Sequence, residues 1–225
     1  MIENLVSDLQ TIAKKSIGVI LVLVFMNSIF LIFSPEVYTN LVTLVPIALL
    51  SLFICIDVAI RSISTQSDRY NQAIVALAFL LFPFMVALPH YEWHYLTSMY
   101  LLELLLLMVL IGVLVLLVGS IILLASRFQI GHYGGAKIAI EKDHHLITDG
   151  MYRHVRNPQY LGFLLLFAGY SFSFGSLIVT IVTVIGLFAV FRSRMLLEEK
   201  ILLETFGEEY AEYMNRTWRL LPHIY

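Results

Sequence analysis

The stretch LGFLLLFAGYSFSFGSLIVTIVTVIGLFAVF, residues 161–191, decides the fold. It carries no charged side chain over 31 residues. As one straight helix it would reach roughly 46 Å, against about 30 Å of bilayer hydrocarbon. One crossing is too few for it. The run Ser171-Phe-Ser-Phe-Gly-Ser176 near its middle supplies turn residues, so the tract reads as a tight hairpin of two short helices.

Four more apolar stretches precede it: Ser16–Phe33, Leu41–Ile60, Ala73–Leu88 and Ser98–Ala125. Each is long enough, or nearly so, to cross the hydrocarbon. The first follows Lys14-Lys15 but leads into Ser34-Pro35-Glu36 without a small-x-small cleavage pattern, so it reads as a retained span and not as a signal peptide. The expected fold is an all-α integral membrane protein of about six transmembrane helices, the last two forming the hairpin. Composition agrees. Of 225 residues 60% are hydrophobic and 13% charged, where soluble domains carry about 25% charged residues. The net charge of -2 gives no basic footprint, which excludes nucleic acid as a partner. Cys55 lies in an apolar run as a packing residue.

Basic residues test the count, because cytoplasmic loops concentrate Lys and Arg. With six crossings, Lys14 and Lys15, Arg61 and Arg69, the group Arg127, Lys137, Lys142, Arg153 and Arg156, and the tail residues Arg192, Arg194, Lys200, Arg216 and Arg219 all share one side. All 14 basic residues then face the cytoplasm, and both termini lie there. An odd number of crossings breaks the pattern. The chain divides at 125: four helices in residues 1–125, then a core of cytoplasmic loop, hairpin and tail in residues 126–225. On the far side, His90-Tyr-Glu-Trp-His94 reads as an aromatic interfacial belt, with no third metal ligand nearby.

Two polar segments flank the hairpin on the cytoplasmic side and can fold into one site. In the first, Asn157-Pro158 is a helix start, Asn as N-cap and Pro at the first helical position. It either simply opens a membrane helix or presents free N–H groups to an anion, with Arg153, His154 and Arg156 adding positive charge. Thr148-Asp-Gly150 turns the strand-like His144–Ile147 back toward it. In the second, Arg192–Phe206 continues the last span to a stop at Gly207. Arg194 and Glu198, four apart, form either a local ion pair or a ligand-binding pair: Arg for a carboxylate, Glu198 or Glu199 for hydroxyl or ammonium groups. Asp57 reads as a helix-end charge that reaches the interface, with the site as its alternative. Glu103, toward the opposite face, has no assigned role.

Three motifs in order carry a resemblance: His144-x-Leu-Ile-Thr-x-Gly-x-Tyr-x-x-x-Arg-Asn-Pro-x-Tyr-x-Gly162, Arg194-x-x-x-Glu-Glu199 and Phe206-Gly-Glu-Glu-Tyr-x-x-Tyr213. Together they resemble the isoprenylcysteine carboxyl methyltransferase family, related to phospholipid methyltransferases. The similarity covers about the last 100 residues. It implies S-adenosyl-L-methionine as cofactor, bound by His144, His145, Leu146, Ile147, Tyr152, Asn157, Pro158, Gln159, Tyr160 and Glu198. It also implies that Arg194 holds the acceptor, with Glu199 and Arg156 beside it as catalytic residues; Tyr210 and Tyr213 match family positions as well. The family often has His where Asn157 stands, and Asn carries no charge for acid–base work. The implied substrate is lipophilic and enters from the surrounding membrane lipids, most simply as the carboxylate of a prenylcysteine. Two other classes compete. A membrane sterol reductase using NADPH shares Arg-x-Pro-x-Tyr-x-Gly but is disfavoured by Glu198-Glu199. A small transporter or scaffold would place polar residues at the bilayer midplane. Nothing in the pattern fixes an oligomeric state.

Overall fold

The computed structural model describes residues 2–33, 35–60, 84–95, 100–131 and 146–222. Its helices are α1 (Ile2–Phe33), α2 (Leu41–Ile60), α3 (residues 84–95), α4 (Leu102–Ile130), α5 (Pro158–Phe172), α6 (Leu177–Phe206) and α7 (Glu208–Arg216). Short 3₁₀ turns at Pro35–Thr39 and Gly150–Arg153 precede α2 and α5. Segments of three helices, Lys15–Ile32 in α1, Leu102–Ile130 and Leu177–Phe206, are long and apolar enough to cross a membrane, and Val42–Asp57 is a shorter apolar helix. The chain is an integral membrane protein, all-α among its described residues. Among the described residues the only β pairing is one isolated parallel bridge, Val155 to Trp218.

The hairpin forms where the sequence places it. Helix α5 ends at Phe172, Gly175 turns at φ 69°, and α6 begins at Leu177. Ser173 and Ser176 are buried in this turn. Glu92 of α3 accepts hydrogen bonds from the first backbone N–H groups of α6, Ile178 at 3.0 Å and Val179 at 2.8 Å. A carboxylate there satisfies orphan donors and opposes the helix dipole. His90, expected in an interfacial belt, is instead fully buried, stacked on Trp93 at 5.3 Å and edge-on to Phe174 at 6.0 Å. At its other end α6 runs unbroken to Phe206 and stops at Gly207, φ 55°.

Packing centres on α4 against α5. Gly112 and Gly119 on α4, and Gly162 and Gly169 on α5, repeat at a seven-residue interval and face one another. A Cβ at Gly169 would lie 2.2 Å from the Leu116 backbone nitrogen, and one at Gly119 would lie 2.4 Å from that of Leu166. Only glycine lets the two backbones approach this closely, the small-residue packing typical of helices in lipid. Leu116, Leu123, Leu166 and Tyr170 fill the remaining space with Phe30, Leu50 and Phe53 of α1 and α2.

The first apolar stretch, Ser16–Phe33, matches a candidate span at Lys15–Ile32, inside a helix that extends back to Ile2 because residues 2–15 contain no Gly or Pro to stop it. One expectation is corrected. Asp57 is not an exposed helix-end charge but is buried in the protein. It pairs with Arg127 of α4 at 2.8 Å, with both side chains largely buried. Of the third expected stretch, Ala73–Leu88, residues 73–83 lie outside the described residues, as do Arg61, Arg69, Lys137 and Lys142.

Candidate functional site

The site is built where the loop before α5, the far end of α6 and the tail converge. Gly150, at φ 55°, bends the chain into the 3₁₀ turn that buries Tyr152. The Tyr152 hydroxyl lies 3.4 Å from the Ser126 carbonyl, and Gln159 Nε2 donates to it at 3.3 Å. Met151 N–H donates to Gln129 Oε1 at 2.9 Å, a second tie from this turn to α4. Burial pushes the Tyr152 phenol up to about 12, against the opposing pull of the Gln159 hydrogen bond. The phenol therefore stays protonated at neutral pH and is not a base.

Pro158 opens α5 at its first turn, as its fixed φ favours. Asn157 occupies the cap position without capping. Its side-chain Nδ2 donates instead to the Arg219 carbonyl at 3.0 Å. One turn of α5 then presents Gln159 and Tyr160 beside Tyr152. The Tyr160 hydroxyl donates to Glu198 Oε1 at 2.6 Å, and Arg194 Nε donates to the same oxygen at 2.8 Å. Arg194 and Glu198 are one turn apart on α6, and Tyr160 closes the cluster from α5. The Tyr160 ring also packs on Phe191 at 4.9 Å.

Neighbouring Glu199 points to a different set of partners. Buried at 5% exposure, it accepts from Arg156 Nε at 3.1 Å, from Arg219 Nε at 3.0 Å on both oxygens, and from Arg219 Nη2 at 2.8 Å. Arg156 Nη1 also donates to the carbonyls of Met214, at 2.9 Å, and Thr217. Backbone pairing runs alongside: Arg156 N–H to Trp218 O at 2.8 Å, and Trp218 N–H to His154 O at 3.0 Å. The Tyr213 hydroxyl donates to the Tyr152 carbonyl at 2.6 Å. Leu220 inserts with Met195 and Leu164, all buried. The tail is thus strapped across the loop that carries the site. Burial raises the phenols of Tyr210 and Tyr213, and the Glu199 charge adds to the rise at Tyr210.

The structure brings Tyr152, Gln159, Tyr160, Arg194 and Glu198 together, with Leu146 and Ile147 half-buried at the start of the same segment. It turns Arg156 and Glu199 onto each other and onto Arg219, so Arg156 does not lend its charge to the α5 N-terminus; Arg153 and His154 are exposed. His144 and His145 lie outside the described residues. The sequence reading missed Arg219 and Gln129, which are distant in sequence from their partners and carry no local signal. The paired seven-residue glycine spacings were legible in principle.

Residues 107–209 match the phospholipid methyltransferase family. A protein-S-isoprenylcysteine O-methyltransferase of Schizosaccharomyces pombe is 35% identical over 83 residues, 37% of this chain and 35% of that protein. A probable one from Oryza sativa subsp. indica is 36% identical over 88 residues, 39% of this chain and 46% of that protein. The protein of that name from Mus musculus is 31% identical over 115 residues, 50% of this chain and 41% of that protein. This chain therefore spans about a third to just under a half of the length of these relatives. Among solved structures, a eukaryotic intramembrane Ras methyltransferase, isoprenylcysteine carboxyl methyltransferase, superposes with a TM-score of 0.59 at 17% identity. The match covers 89% of this chain and 74% of that one, a likeness of fold. The resemblance read from the three motifs holds.

Proposed function

We propose that this chain, a relative of the isoprenylcysteine carboxyl methyltransferases, is an integral membrane methyltransferase that uses S-adenosyl-L-methionine on a lipophilic acceptor, a prenylcysteine-like carboxylate. The observation that carries the reading is the Tyr160–Glu198–Arg194 cluster beside Tyr152 and Gln159, at the ends of two apolar helices. The donor set suits the cofactor. Glu198 offers a carboxylate to hydroxyl or ammonium groups, Tyr160 and Phe191 offer aromatic faces, and Leu146 and Ile147 offer apolar contact. His144, His145, Leu146, Ile147, Tyr152, Asn157, Pro158, Gln159, Tyr160 and Glu198 are the proposed cofactor residues. When bound, S-adenosylmethionine supplies an electrophilic methyl group on a sulfonium.

Arg194 holds the acceptor carboxylate, and Glu198 and Tyr160 fix the orientation of its guanidinium. A carboxylate is ionised at pH 7 and needs no general base, in keeping with a cluster whose nearby phenol is protonated. What remains for the protein is alignment and exclusion of water. Arg156 and Glu199 serve as positioning residues, since both are spent on the clasp with Arg219.

We further propose six crossings with both termini cytoplasmic, residues 1–125 forming the four-helix N-terminal part and 126–225 the catalytic core. The cofactor then enters from the cytoplasm and the lipid from the bilayer. A glycosylation reporter placed after Phe33 should be modified; one that stays unmodified and cytoplasmic refutes this orientation. For the activity, purified protein should bind S-adenosylmethionine by calorimetry, and Glu198→Ala should weaken binding by about tenfold or more, the scale of one charge-assisted hydrogen bond. Absence of binding by the parent protein, together with unchanged behaviour of Glu198→Ala, overturns the reading.

A further inference from the structure

We propose that Arg219 is a positioning residue that holds the two halves of the cofactor site together, and that it acts on cofactor binding and not on acceptor binding. The inference rests on the methyltransferase reading above, and it names a residue beyond the stretch 107–209 that matches the family. The proposed cofactor residues stand on two supports. Tyr152, Asn157, Gln159 and Tyr160 belong to the loop and first turn of α5, whereas Glu198 belongs to α6. Within the site, the Tyr160–Glu198 hydrogen bond of 2.6 Å spans the two.

Arg219 spans them again from outside. Its backbone carbonyl accepts from Asn157 Nδ2 at 3.0 Å, immediately before Pro158. The preceding residue is tied to the same loop, with Trp218 N–H donating to His154 O at 3.0 Å and Arg156 N–H to Trp218 O at 2.8 Å. The Arg219 side chain crosses to α6, where Nε lies 3.0 Å from both oxygens of Glu199 and Nη2 lies 2.8 Å from Oε2. The main chain of the tail is thus fastened to the α5 side, and its guanidinium to the residue next to Glu198. A guanidinium fork fixes a carboxylate in direction as well as in distance. Glu199 cannot turn about the α6 axis without stretching these bonds, and Glu198 turns with it.

The acceptor residue is held differently. Arg194 and Glu198 lie one turn apart on α6 and meet at 2.8 Å, and a pair at this spacing on one helix keeps its geometry whatever the distance to α5. Loosening the Arg219 joint therefore lets Gln159 and Tyr160 drift from Glu198 while Arg194 keeps its partner. The expected signature is weaker cofactor binding with acceptor binding spared, a split that general destabilisation does not produce.

The test uses the full chain in lipid nanodiscs, calorimetry with S-adenosylmethionine, and methyl transfer to a farnesylated cysteine free acid at saturating cofactor. Arg219→Ala should raise the cofactor Kd about tenfold, within what a misplacement of about 1 Å costs, and leave the acceptor KM within about twofold. Arg219→Lys keeps the charge without the fork and should fall between, at about threefold; it carries the test alone if the alanine variant does not fold. Glu92→Ala controls for stability, because it uncaps α6 at the opposite end. It should lower the melting temperature and leave the cofactor Kd unchanged. An unchanged cofactor Kd in the Arg219 variants, an acceptor KM that rises in step with it, or an equal loss of cofactor affinity in Glu92→Ala overturns the proposal. A parent protein that binds no S-adenosylmethionine instead overturns the function reading on which it stands.

Discussion

Glu199→Gln is the sharpest probe of the tail clasp. The substitution keeps shape and removes one negative charge from between two guanidiniums. In the parent chain the Glu199 side chain is 6% exposed, and those of Arg156 and Arg219 are 8% and 23% exposed. Breaking a buried pair by removing one partner costs about 3–5 kcal/mol, because the charge left behind has no compensation. Arg219 can rehydrate by moving outward, and Arg156 keeps the Met214 and Thr217 carbonyls. These escapes place the expected loss near the lower end, about 3 kcal/mol. The contrasting pair is Lys200–Glu204, on the same helix at 3.9 Å and mostly exposed. Solvent screens such a pair to a contribution of about 0–1 kcal/mol, so Glu204→Gln should be indistinguishable from the parent. Thermal unfolding in detergent measures both, and limited proteolysis reports whether the tail has lifted from the loop. Cleavage after Arg216 or Arg219 should accelerate in Glu199→Gln alone. If that variant melts and resists protease like the parent, or if Glu204→Gln costs as much, the clasp does not hold the tail.

Two further outcomes are expected. Gly169→Ala places a methyl 2.2 Å from the Leu116 nitrogen and should cost about 1–3 kcal/mol through forced separation of the backbones. Gly186→Ala, with nothing within 4 Å, should be neutral or gain up to about 1 kcal/mol of helix propensity; equal melting temperatures for the two variants would contradict the seam. The Tyr152 phenol, raised to about 12 from an ordinary 10, favours the folded state fully below pH 10. That contribution is lost as the pH rises toward 12. Stability measured against alkaline pH should therefore fall less steeply in Tyr152→Phe; an unchanged slope would deny the phenol its buried seat.

Local signals in the sequence decide the structure where the chain obeys local rules. The hairpin turn at Ser171–Ser176, the stop at Gly207 and the start at Pro158 each rest on residues whose backbone preferences act within one turn. The Arg194–Glu198 pair was legible because a four-residue spacing brings side chains together on any helix. What escaped is what the fold alone brings close. Asn157 has the chemistry of a cap, yet its amide is drawn to the Arg219 carbonyl by a tail that arrives from far along the chain. Glu92 caps a helix it does not belong to. Asp57 looked like an interfacial charge because its partner Arg127 lies two helices further on. The pairing of Arg156 with Glu199, 43 residues apart, is not visible from spacing.

The glycine seam has a mechanical consequence. Where two helices touch through side chains, rotamer changes let them slide or splay; where they touch through bare backbone, no soft joint remains between them. With Gly112, Gly119, Gly162 and Gly169 in contact, α4 and α5 must travel as a single rigid plank that carries Arg127, Gln159, Tyr160 and Phe163 together. Under the proposed function, any doorway that admits a long hydrocarbon substrate therefore has to swing on α6 or on the N-terminal helices, with the plank as its fixed jamb.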